Sequence, residues 1–247
     1  MIRFATIAIC LLAGFGAAFG WGYYSAAYQA FPDSLLRDVK TSLNSEYQMT
    51  PVPQISAERY TALTTKAEIV MAGDSITASG RWDELFPGAS IINRGVPSDV
   101  IGGLELRTDA ILRAEPEKVF IMIGINDVAA RNSDAQIIER YRRVVDALQS
   151  RGAAVFIQSV INCRKSDLSS CDDRMRKQVF ALNAALEQLA DERGATFIDT
   201  DQAMADEQGF LPQYSIDGIH PSSAGFAKWT QVLAPYMAAS PGLEPAT

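Results

Sequence analysis

The chain has 247 residues, of which 48% are hydrophobic and 21% are charged, and its formal net charge is −7. That length accommodates one domain with a sizeable core plus a short accessory segment. The acidic balance argues against a nucleic-acid partner, which would need a basic surface to neutralise phosphates. One histidine and three cysteines are too few for a structural zinc site, so we expect neither a metal nor another cofactor.

The amino-terminal segment is strongly apolar. After Arg3 no charged residue occurs until Asp33, and residues 4–24 are almost wholly apolar, which matches the roughly 20 residues that a membrane-spanning helix needs. We predict that residues 1–28 form an uncleaved membrane anchor, with the rest of the chain exported to the periplasm and tethered to the inner membrane. The alternative is a cleaved signal peptide, which would make the protein secreted.

The remainder of the chain alternates between short apolar runs and amphipathic stretches. Residues 29–64 are expected to form a tether with an early helix, residues 65–240 one α/β domain, and residues 241–247 a tail. The predicted strands are Ile69–Ala72, Ser90–Ile92, Val119–Ile123, Ala154–Ile157 and Thr196–Ile198. The predicted helices are Ile101–Arg113, Asp134–Ser150, Asp172–Arg193 and Ser222–Met237. Continuously apolar strands separated by helices indicate a parallel five-stranded sheet covered on both faces, which is a three-layer α/β/α sandwich.

Two short motifs suggest acyl-transfer chemistry. Ser75 lies where the first strand passes into a helix, in the tripeptide Gly73-Asp74-Ser75, and the only histidine, His220, follows Asp217 on a turn before the last helix. In such chemistry a serine attacks a carbonyl, a histidine takes its proton, and an aspartate orients the imidazole. We therefore predict Ser75 as nucleophile, His220 as base and Asp217 as the residue that orients it.

Two further residues at strand ends are suited to stabilise an oxyanion. Gly95, after the second strand, has no side chain to cover its backbone N–H, and Asn126, after the third, carries an amide donor. Together with the Ser75 N–H, which starts a helix and lacks an intrahelical acceptor, they form the predicted oxyanion hole. Asp74 and Asp127 are expected instead to accept backbone hydrogen bonds that hold their turns.

These motifs together resemble those of the SGNH hydrolases, also called the GDSL esterase and lipase family. The matching blocks, within Lys66–Met237, are Gly73-Asp-Ser75, Gly95, Gly124-x-Asn126-Asp127 and Asp217-x-x-His220. The resemblance implies a flavodoxin-like α/β fold and the same roles for these residues. The second block departs from the usual pattern, because it reads Gly-Val-Pro-Ser where relatives often carry a second small residue.

The resemblance extends to a substrate class. The segments Gly73–Pro87 and Ile92–Gly95 are similar to a branch of small acylhydrolases often associated with acetylated sugars. We therefore expect a serine ester hydrolase that removes short acyl groups, above all acetyl, from a carbohydrate or a similar small ester. Lysophospholipid or thioester hydrolysis, acyl transfer, and a tethered scaffold with an inactive triad remain open. Arg81 and Trp82 are candidates to line the entrance, with packing under the first helix as the alternative for Trp82.

The cysteines are consistent with export. Cys163 and Cys171 bracket a polar loop after the fourth strand, whereas Cys10 lies in the apolar segment. In an oxidising compartment the first two would close a small ring worth roughly 2–3 kcal/mol. We predict this disulfide and expect its loop to lie on the face that carries the site; two free thiols in a cytosolic loop are the alternative.

Overall fold

The computed structural model describes residues 47–49 and 65–237. The predicted membrane anchor at residues 1–28, most of the predicted tether and the predicted tail lie outside the described residues. Within the two described ranges, no helix combines the length and apolar character that crossing a membrane requires.

Five parallel strands form one sheet in the order β2-β1-β3-β4-β5. The strands are β1 Ile69–Gly73, β2 Ile91–Gly95, β3 Lys118–Met122, β4 Ala154–Gln158 and β5 Thr196–Ile198. Each coincides with a predicted apolar run to within a few residues. The central strands β1 and β3 are buried along their whole length, because helices cover both faces of the sheet, and this explains their unbroken apolar sequence.

The helices differ from the prediction mainly where they are short. They are α1 Ser75–Ala78, α2 Trp82–Leu85, α3 Ile101–Leu106, α4 Thr108–Leu112, α5 Ile125–Ala129, α6 Asp134–Gln149, α7 Asp173–Arg193, α8 Thr200–Met204 and α9 Ser223–Met237. A small hairpin joins β6 Ala205–Asp206 to β7 Gly209–Phe210. The single helix predicted over Ile101–Arg113 is wrong in one respect: it is two helices, α3 and α4, separated at Arg107.

The helices form two layers, one on each face of the sheet. On one face α6 packs between α3 and α7, and it buries an apolar stripe made of Ile137, Tyr141, Val144, Val145 and Leu148. On the other face Trp229 of α9 meets Trp82 of α2 edge-on, with ring centroids 4.8 Å apart. Phe156 of β4 contacts Tyr236 of α9 on the same side. The predicted three-layer α/β/α sandwich is confirmed.

The two longest helices begin and end at local sequence signals. Ser133 caps α6 in a reciprocal arrangement with Gln136, and the Asp172 carboxylate caps α7 by accepting the Met175 N–H. Helix α7 ends at Gly194, whose φ of 62° lies in the left-handed region that glycine adopts readily. These signals explain why the predicted bounds of both helices agree with the structure to within one residue.

Candidate active site

Ser75 is the first residue of α1, directly beyond the carboxyl end of β1. The helix begins there because Asp74 caps it, with Oδ1 accepting the Ile76 N–H at 2.9 Å. As the first residue of a helix, Ser75 has a backbone N–H without an intrahelical acceptor. Gly73 allows a close crossing just before it, since a Cβ at this position would lie 2.2 Å from the Met122 carbonyl oxygen.

The single histidine bridges the predicted nucleophile and the predicted aspartate. His220 Nε2 lies 3.1 Å from Ser75 Oγ, and His220 Nδ1 lies 2.7 Å from Asp217 Oδ2. A ring protonated at Nδ1 donates to Asp217 and leaves Nε2 to accept the serine proton. The fold therefore brings together three side chains that the sequence separates by up to 145 positions.

A tight turn holds Asp217 against the imidazole. Its Oδ1 accepts the N–H groups of Ile219 and His220 at 2.8 and 2.7 Å, which leaves Oδ2 for the ring. Gly218 has a φ of 95°, a conformation that side-chain-bearing residues rarely adopt. An antiparallel bridge between Ser215 and Pro221 closes the turn.

The charge of Asp217 is stabilised by these contacts. Burial by itself would raise the pKa of Asp217, but hydrogen bonds from the backbone N–H and the ring of His220, and from the Ile219 N–H, outweigh it. The pKa of Asp217 consequently lies below its ordinary value, which favours the ionised carboxylate. An ionised carboxylate in this position stabilises an imidazolium that forms during a reaction.

Asn126 is the second residue of α5, beyond the carboxyl end of β3. Its Nδ2 donates one hydrogen bond to the carbonyl oxygen of Asp99 at 2.8 Å. That bond orients the amide plane and leaves the second amide hydrogen for another acceptor.

Gly95 plays a different part from the one predicted. Its N–H donates to Asn93 Oδ1 at 2.8 Å, so this donor is engaged within its own turn and is not directed at an oxyanion. A Cβ at Gly95 would lie 2.3 Å from the Ala78 nitrogen and 2.9 Å from the Asp74 carbonyl oxygen. The glycine is needed because β2 and the backbone of α1 approach too closely for a side chain, and the geometry does not support the predicted role as donor.

Asn93 is a positioning residue that sequence reasoning missed. Its amide nitrogen lies 2.9–3.0 Å from the carbonyl oxygens of Thr77, Ala78 and Gly80, around the last turn of α1. Helix α1 has only four residues, so side-chain donors replace the intrahelical bonds that a longer helix would make. Asn93 stands two residues before Gly95 in the sequence, but the carbonyl groups that it binds are 13 to 16 positions away, and no local pattern connects them to it.

Arg107 is the second residue that was missed. Its guanidinium is buried, pairs with Asp99 at 2.7 Å, and donates to the carbonyl oxygens of Gly73 and Arg94 at 3.0 and 2.7 Å. It thus ties together the carboxyl ends of β1 and β2 and the turn that Asn126 contacts. A charged residue in an amphipathic stretch is usually solvated. Arg107, however, follows Val100 by seven residues and so falls on the apolar face of the helical pattern, which is the signal in the sequence that indicates its burial.

Asp74 and Asp127 accept backbone hydrogen bonds, as predicted. Asp127 Oδ2 accepts the Ile101 N–H at 2.9 Å, and Asp74 caps α1 as described above. Burial, followed by repulsion from Asp99 and Asp127, raises the pKa of Asp74 to about 7 although the Ile76 N–H favours its ionised form. The residue before Ser75 is therefore an aspartate with an unusual preference for its neutral form.

The turn between β2 and α3 contains a backbone conformation typical of glycine. Ser98 has a φ of 61°, in the left-handed region. This is the turn in which the second block departs from the family pattern. Asp99, the next residue, is held by Arg107, so the surrounding contacts stabilise a conformation that a serine rarely adopts.

Arg81 and Trp82 are not equivalent. Trp82 is buried, and its Nε1 donates to the Thr77 carbonyl oxygen at 2.9 Å, so it packs beneath α1 and does not line an entrance. Arg81 is exposed and forms an ion pair with Glu84 on the surface. The packing interpretation of Trp82 is confirmed.

Cys163 and Cys171 form a disulfide, as predicted, and both are buried. The loop that they close lies next to the turn of Asp217, because the Arg164 N–H donates to the Gly218 carbonyl oxygen at 2.8 Å. Within residues 47–49 and 65–237, no three or more His, Cys, Asp and Glu side chains are grouped as they would be around a metal ion.

A groove of about 910 Å³ lies elsewhere, between α7, β5 and α8. None of its lining residues is Ser75, Asn126, Asp217 or His220. In the part of the chain that is described, the serine, histidine and aspartate meet at the surface, where the His220 side chain is 37% exposed.

The described fold is shared with solved structures of low sequence identity. A protein provisionally identified as a platelet activating factor from Streptococcus pneumonia superposes with a TM-score of 0.68 at 20% identity, over 83% of this chain and 99% of that one. A GDSL-like lipase from Bacteroides thetaiotaomicron gives 0.64 at 22% identity, over 75% and 96%. A catalytic mutant of an acetylxylan esterase from Geobacillus stearothermophilus gives 0.58 at 19% identity, over 72% and 97%.

The sequence itself identifies the family. No curated protein matches the chain. The model of the GDSL-like lipase/acylhydrolase family, however, matches residues 71–228, which is more than half of the chain and includes Ser75, Asn126, Asp217 and His220. The chain therefore belongs to the GDSL-like lipase/acylhydrolase family and is a carboxylic ester hydrolase with the SGNH fold.

Proposed function

We propose that Ser75, His220 and Asp217 are the catalytic triad of an exported hydrolase that removes short acyl groups, principally acetyl, from a carbohydrate or a similar small ester. The observation that carries the triad is the unbroken contact from Asp217 Oδ2 through both ring nitrogens of His220 to Ser75 Oγ, at 2.7 and 3.1 Å. Both distances lie within hydrogen-bonding range, and the one from Ser75 Oγ to His220 Nε2 allows a proton to pass from nucleophile to base.

The reaction proceeds in two halves. Ser75 Oγ attacks the ester carbonyl carbon while its proton passes to His220 Nε2, and the imidazolium then donates that proton to the departing alcohol oxygen. The acyl group remains on Ser75. Water attacks it as His220 accepts a proton from the water, and collapse of the second intermediate returns the proton to Ser75 Oγ and releases the acid. Asp217 holds the ring and stabilises its charged form throughout.

Two donors stabilise the oxyanion in this mechanism. The Ser75 N–H is free of intrahelical partners, and Asn126 retains an amide hydrogen after donating to Asp99. Because the Gly95 N–H is engaged by Asn93, we assign the oxyanion hole to Ser75 and Asn126. Removing one such donor typically lowers turnover by about 100- to 1,000-fold.

The preference for a short acyl group is supported by the sequence resemblance, by a neighbour of the same fold and by the connections between elements. The resemblance of the first two blocks to small acylhydrolases favours it, and an acetylxylan esterase is among the solved structures with this fold. Within residues 65–237, the connections between elements carry no long apolar insertion that would cover the site.

One observation favours a longer apolar substrate as the second candidate. Ile216 and Leu168 are 70% and 78% exposed, and both lie in the segments next to Asp217. The Ile216 N–H donates to the His220 carbonyl oxygen, one position inside the Ser215–Pro221 bridge, so this exposed residue lies on the turn that carries the imidazole. An exposed aliphatic residue on that turn suits the acyl chain of a lysophospholipid or thioester.

Export is proposed from two features. The buried disulfide between Cys163 and Cys171 is typical of proteins that fold in an oxidising compartment. The apolar stretch at residues 4–24 has the composition of a membrane anchor or signal segment. Fusing residues 1–64 to alkaline phosphatase tests the proposal, because this reporter is active only outside the cytoplasm; an inactive fusion of normal abundance would contradict it.

The triad is tested with a fluorophosphonate probe, which labels an activated serine. The wild-type chain and Ser150→Ala, which changes an exposed serine on the far side of the domain, should both be labelled, and Ser75→Ala should not. Labelling of Ser75→Ala, or no labelling of the wild type, would contradict the assignment. A series of p-nitrophenyl esters from acetyl to dodecanoyl, with acetylated xylo-oligosaccharides, then separates the two substrate classes: we expect kcat/KM to be highest for acetyl.

A further inference from the structure

The disulfide-closed loop at residues 163–171 connects β4 to α7 and has a single covalent constraint. Its cysteines are buried, whereas Leu168 at its tip is 78% exposed. Inside the loop, the Ser169 hydroxyl donates to the Arg164 carbonyl oxygen at 2.8 Å and accepts the Ser166 N–H at 3.1 Å. With little apolar surface buried by its tip, the loop keeps its shape through the disulfide and these polar contacts.

The loop is anchored on one side to the β6–β7 hairpin. The Arg164 guanidinium binds the carbonyl oxygens of Gly209 and Phe210 and the Asp206 carboxylate, all in the β6–β7 hairpin. Gly209 permits this approach, because a Cβ there would lie 2.0 Å from the Cys163 carbonyl oxygen. The first half of the loop is therefore fixed to the body of the domain.

On its other side the loop binds the turn that carries the aspartate and the histidine. The Arg164 N–H donates to the Gly218 carbonyl oxygen at 2.8 Å, and the Ser166 hydroxyl donates to the Asp217 carbonyl oxygen. The same hydroxyl accepts the Leu168 N–H at 3.2 Å, so Ser166 links the tip of the loop to the turn. A Cβ at Gly218 would lie 2.3 Å from the Arg164 carbonyl oxygen, which shows how closely the two backbones pack.

The internal contacts of the turn determine its shape but not its place. Ser215 Oγ accepts the Gly218 N–H at 2.8 Å and donates to the His220 carbonyl oxygen at 3.1 Å, and these bonds move with the turn. The distance from His220 Nε2 to Ser75 Oγ depends instead on where the turn sits relative to β1. The contacts from Arg164 and Ser166 hold the turn to the segment that leaves β4, in the same sheet as β1.

We propose that the loop closed by Cys163 and Cys171 positions the catalytic turn, with Ser166 as its positioning residue, so that full turnover requires the disulfide. The proposal rests on the triad proposed above. Ser166 acts through Asp217 and His220 and does not itself contact the substrate. Losing its hydroxyl should allow the Asp217 carboxylate and the imidazole to drift from the geometry that Ser75 needs.

Ser166→Ala is the primary test, with Ser150→Ala as the matched control. Both hydroxyls donate to a backbone carbonyl oxygen on the surface, but the acceptor of Ser150 is Ala147, at the end of α6. For Ser166→Ala we expect kcat on p-nitrophenyl acetate to fall about 5- to 10-fold, with KM within about twofold of wild type. Ser166→Thr, which keeps the hydroxyl, should restore most of the loss, and Ser150→Ala should match the wild type.

The pH dependence of kcat/KM distinguishes a displaced catalytic turn from a general loss of stability in the domain. A carboxylate that has drifted stabilises the imidazolium less, so the acid limb of kcat/KM should move to lower pH in Ser166→Ala. Cys163→Ala/Cys171→Ala should show the same displaced limb and a larger fall in kcat. If the double variant does not fold, Ser166→Ala and Ser166→Thr decide the question alone.

The outcomes distinguish the two proposals. Absence of fluorophosphonate labelling in the wild type would overturn the triad. A labelled wild type with unchanged kcat and acid limb in Ser166→Ala would overturn the positioning role alone. A fall in kcat that Ser166→Thr does not restore, or one that Ser150→Ala shares, would also overturn it.

Discussion

The buried carboxyl group of Asp74 predicts an unusual dependence of stability on pH. Its pKa rises from an ordinary 3.8 to about 7 in the folded chain, chiefly through burial. A difference of about three in pKa corresponds to about 4 kcal/mol. The folded chain holds this proton more tightly than the unfolded chain, so the contribution of Asp74 is least unfavourable below about pH 4, and it becomes increasingly destabilising up to about pH 7.

Asp74→Asn should remove this penalty without removing the helix cap. Asparagine has the same size, caps helices as well as aspartate does, and keeps an Oδ1 that can accept the Ile76 N–H. The variant should approach the wild type in free energy of unfolding only below about pH 4, where Asp74 is protonated in the folded and in the unfolded chain. Near pH 8 it should be more stable, by up to about 4 kcal/mol.

Urea unfolding at several values between about pH 3 and about pH 8 measures the effect. The other titrating groups are common to both chains, so the difference between the two curves isolates Asp74. Asp74→Ala is the control for the cap: it lacks the acceptor and should be less stable than Asp74→Asn by about 1 kcal/mol at every pH. Parallel curves for wild type and Asp74→Asn would refute the reasoning, because they would mean that Asp74 has the same pKa folded and unfolded.

Three further predictions concern the site. Asn126→Ala should lower kcat by about 100-fold while KM changes little, because the amide stabilises the oxyanion and not the bound substrate. Steady-state kinetics on p-nitrophenyl acetate measures this effect. An unchanged kcat would argue against the donor role. Gly95→Ala should lower the free energy of unfolding in urea by about 1–3 kcal/mol and reduce turnover, because the new Cβ would meet the Ala78 nitrogen. A variant as stable as the wild type would contradict the close approach of β2 and α1. The rate of hydrolysis should decline on acidification, because a protonated His220 cannot act as the base. No second loss from Asp217 is expected above about pH 4, since contacts with His220 and Ile219 lower the pKa of that carboxylate. A rate that stays constant on acidification would exclude His220 as the base.

The contacts around Ser75 show how a four-residue helix is kept in place. Asp74 caps its start, Asn93 binds carbonyl oxygens around its last turn, and Gly95 allows β2 to lie against its backbone. The Arg107 guanidinium joins the ends of β1 and β2 by donating to the carbonyl oxygens of Gly73 and Arg94. Because these contacts come from three segments (the turn before α1, β2, and the junction of α3 and α4), the position of the serine depends on the sheet edge as a whole.

The strands and the long helices could be predicted because their signals are local. An unbroken apolar run such as Ile69–Ala72 reports burial on both faces, and the stripe that includes Ile137 and Tyr141 reports one buried face of a helix. Short elements such as α1 and the β6–β7 hairpin have too few residues to show a period. Asp217 and His220 could be paired for the same reason, since a three-residue spacing on one turn brings them together.

The chemical roles of single residues were less accessible. The donor role expected of Gly95 is not supported by its contacts, because an N–H that looks free in a sequence can be engaged by a neighbouring side chain, here Asn93. The sequence assigned no role to Arg107, because its burial is decided by its partners, Asp99 and the carbonyl oxygens at the ends of β1 and β2. No periodicity encodes such partners.

Local patterns in this sequence determined the parallel α/β sandwich, the identity of the serine, histidine and aspartate, and the pairing of the two cysteines. Tertiary structure alone decided which hydrogen-bond donors remain available, which charge is buried, and that the 163–171 loop binds the turn of Asp217. The physical reason is that apolar periodicity records whether a residue is buried, whereas a polar group's role depends on the partner it meets. Those partners lie tens of residues away, and only the folded chain brings them within hydrogen-bonding distance.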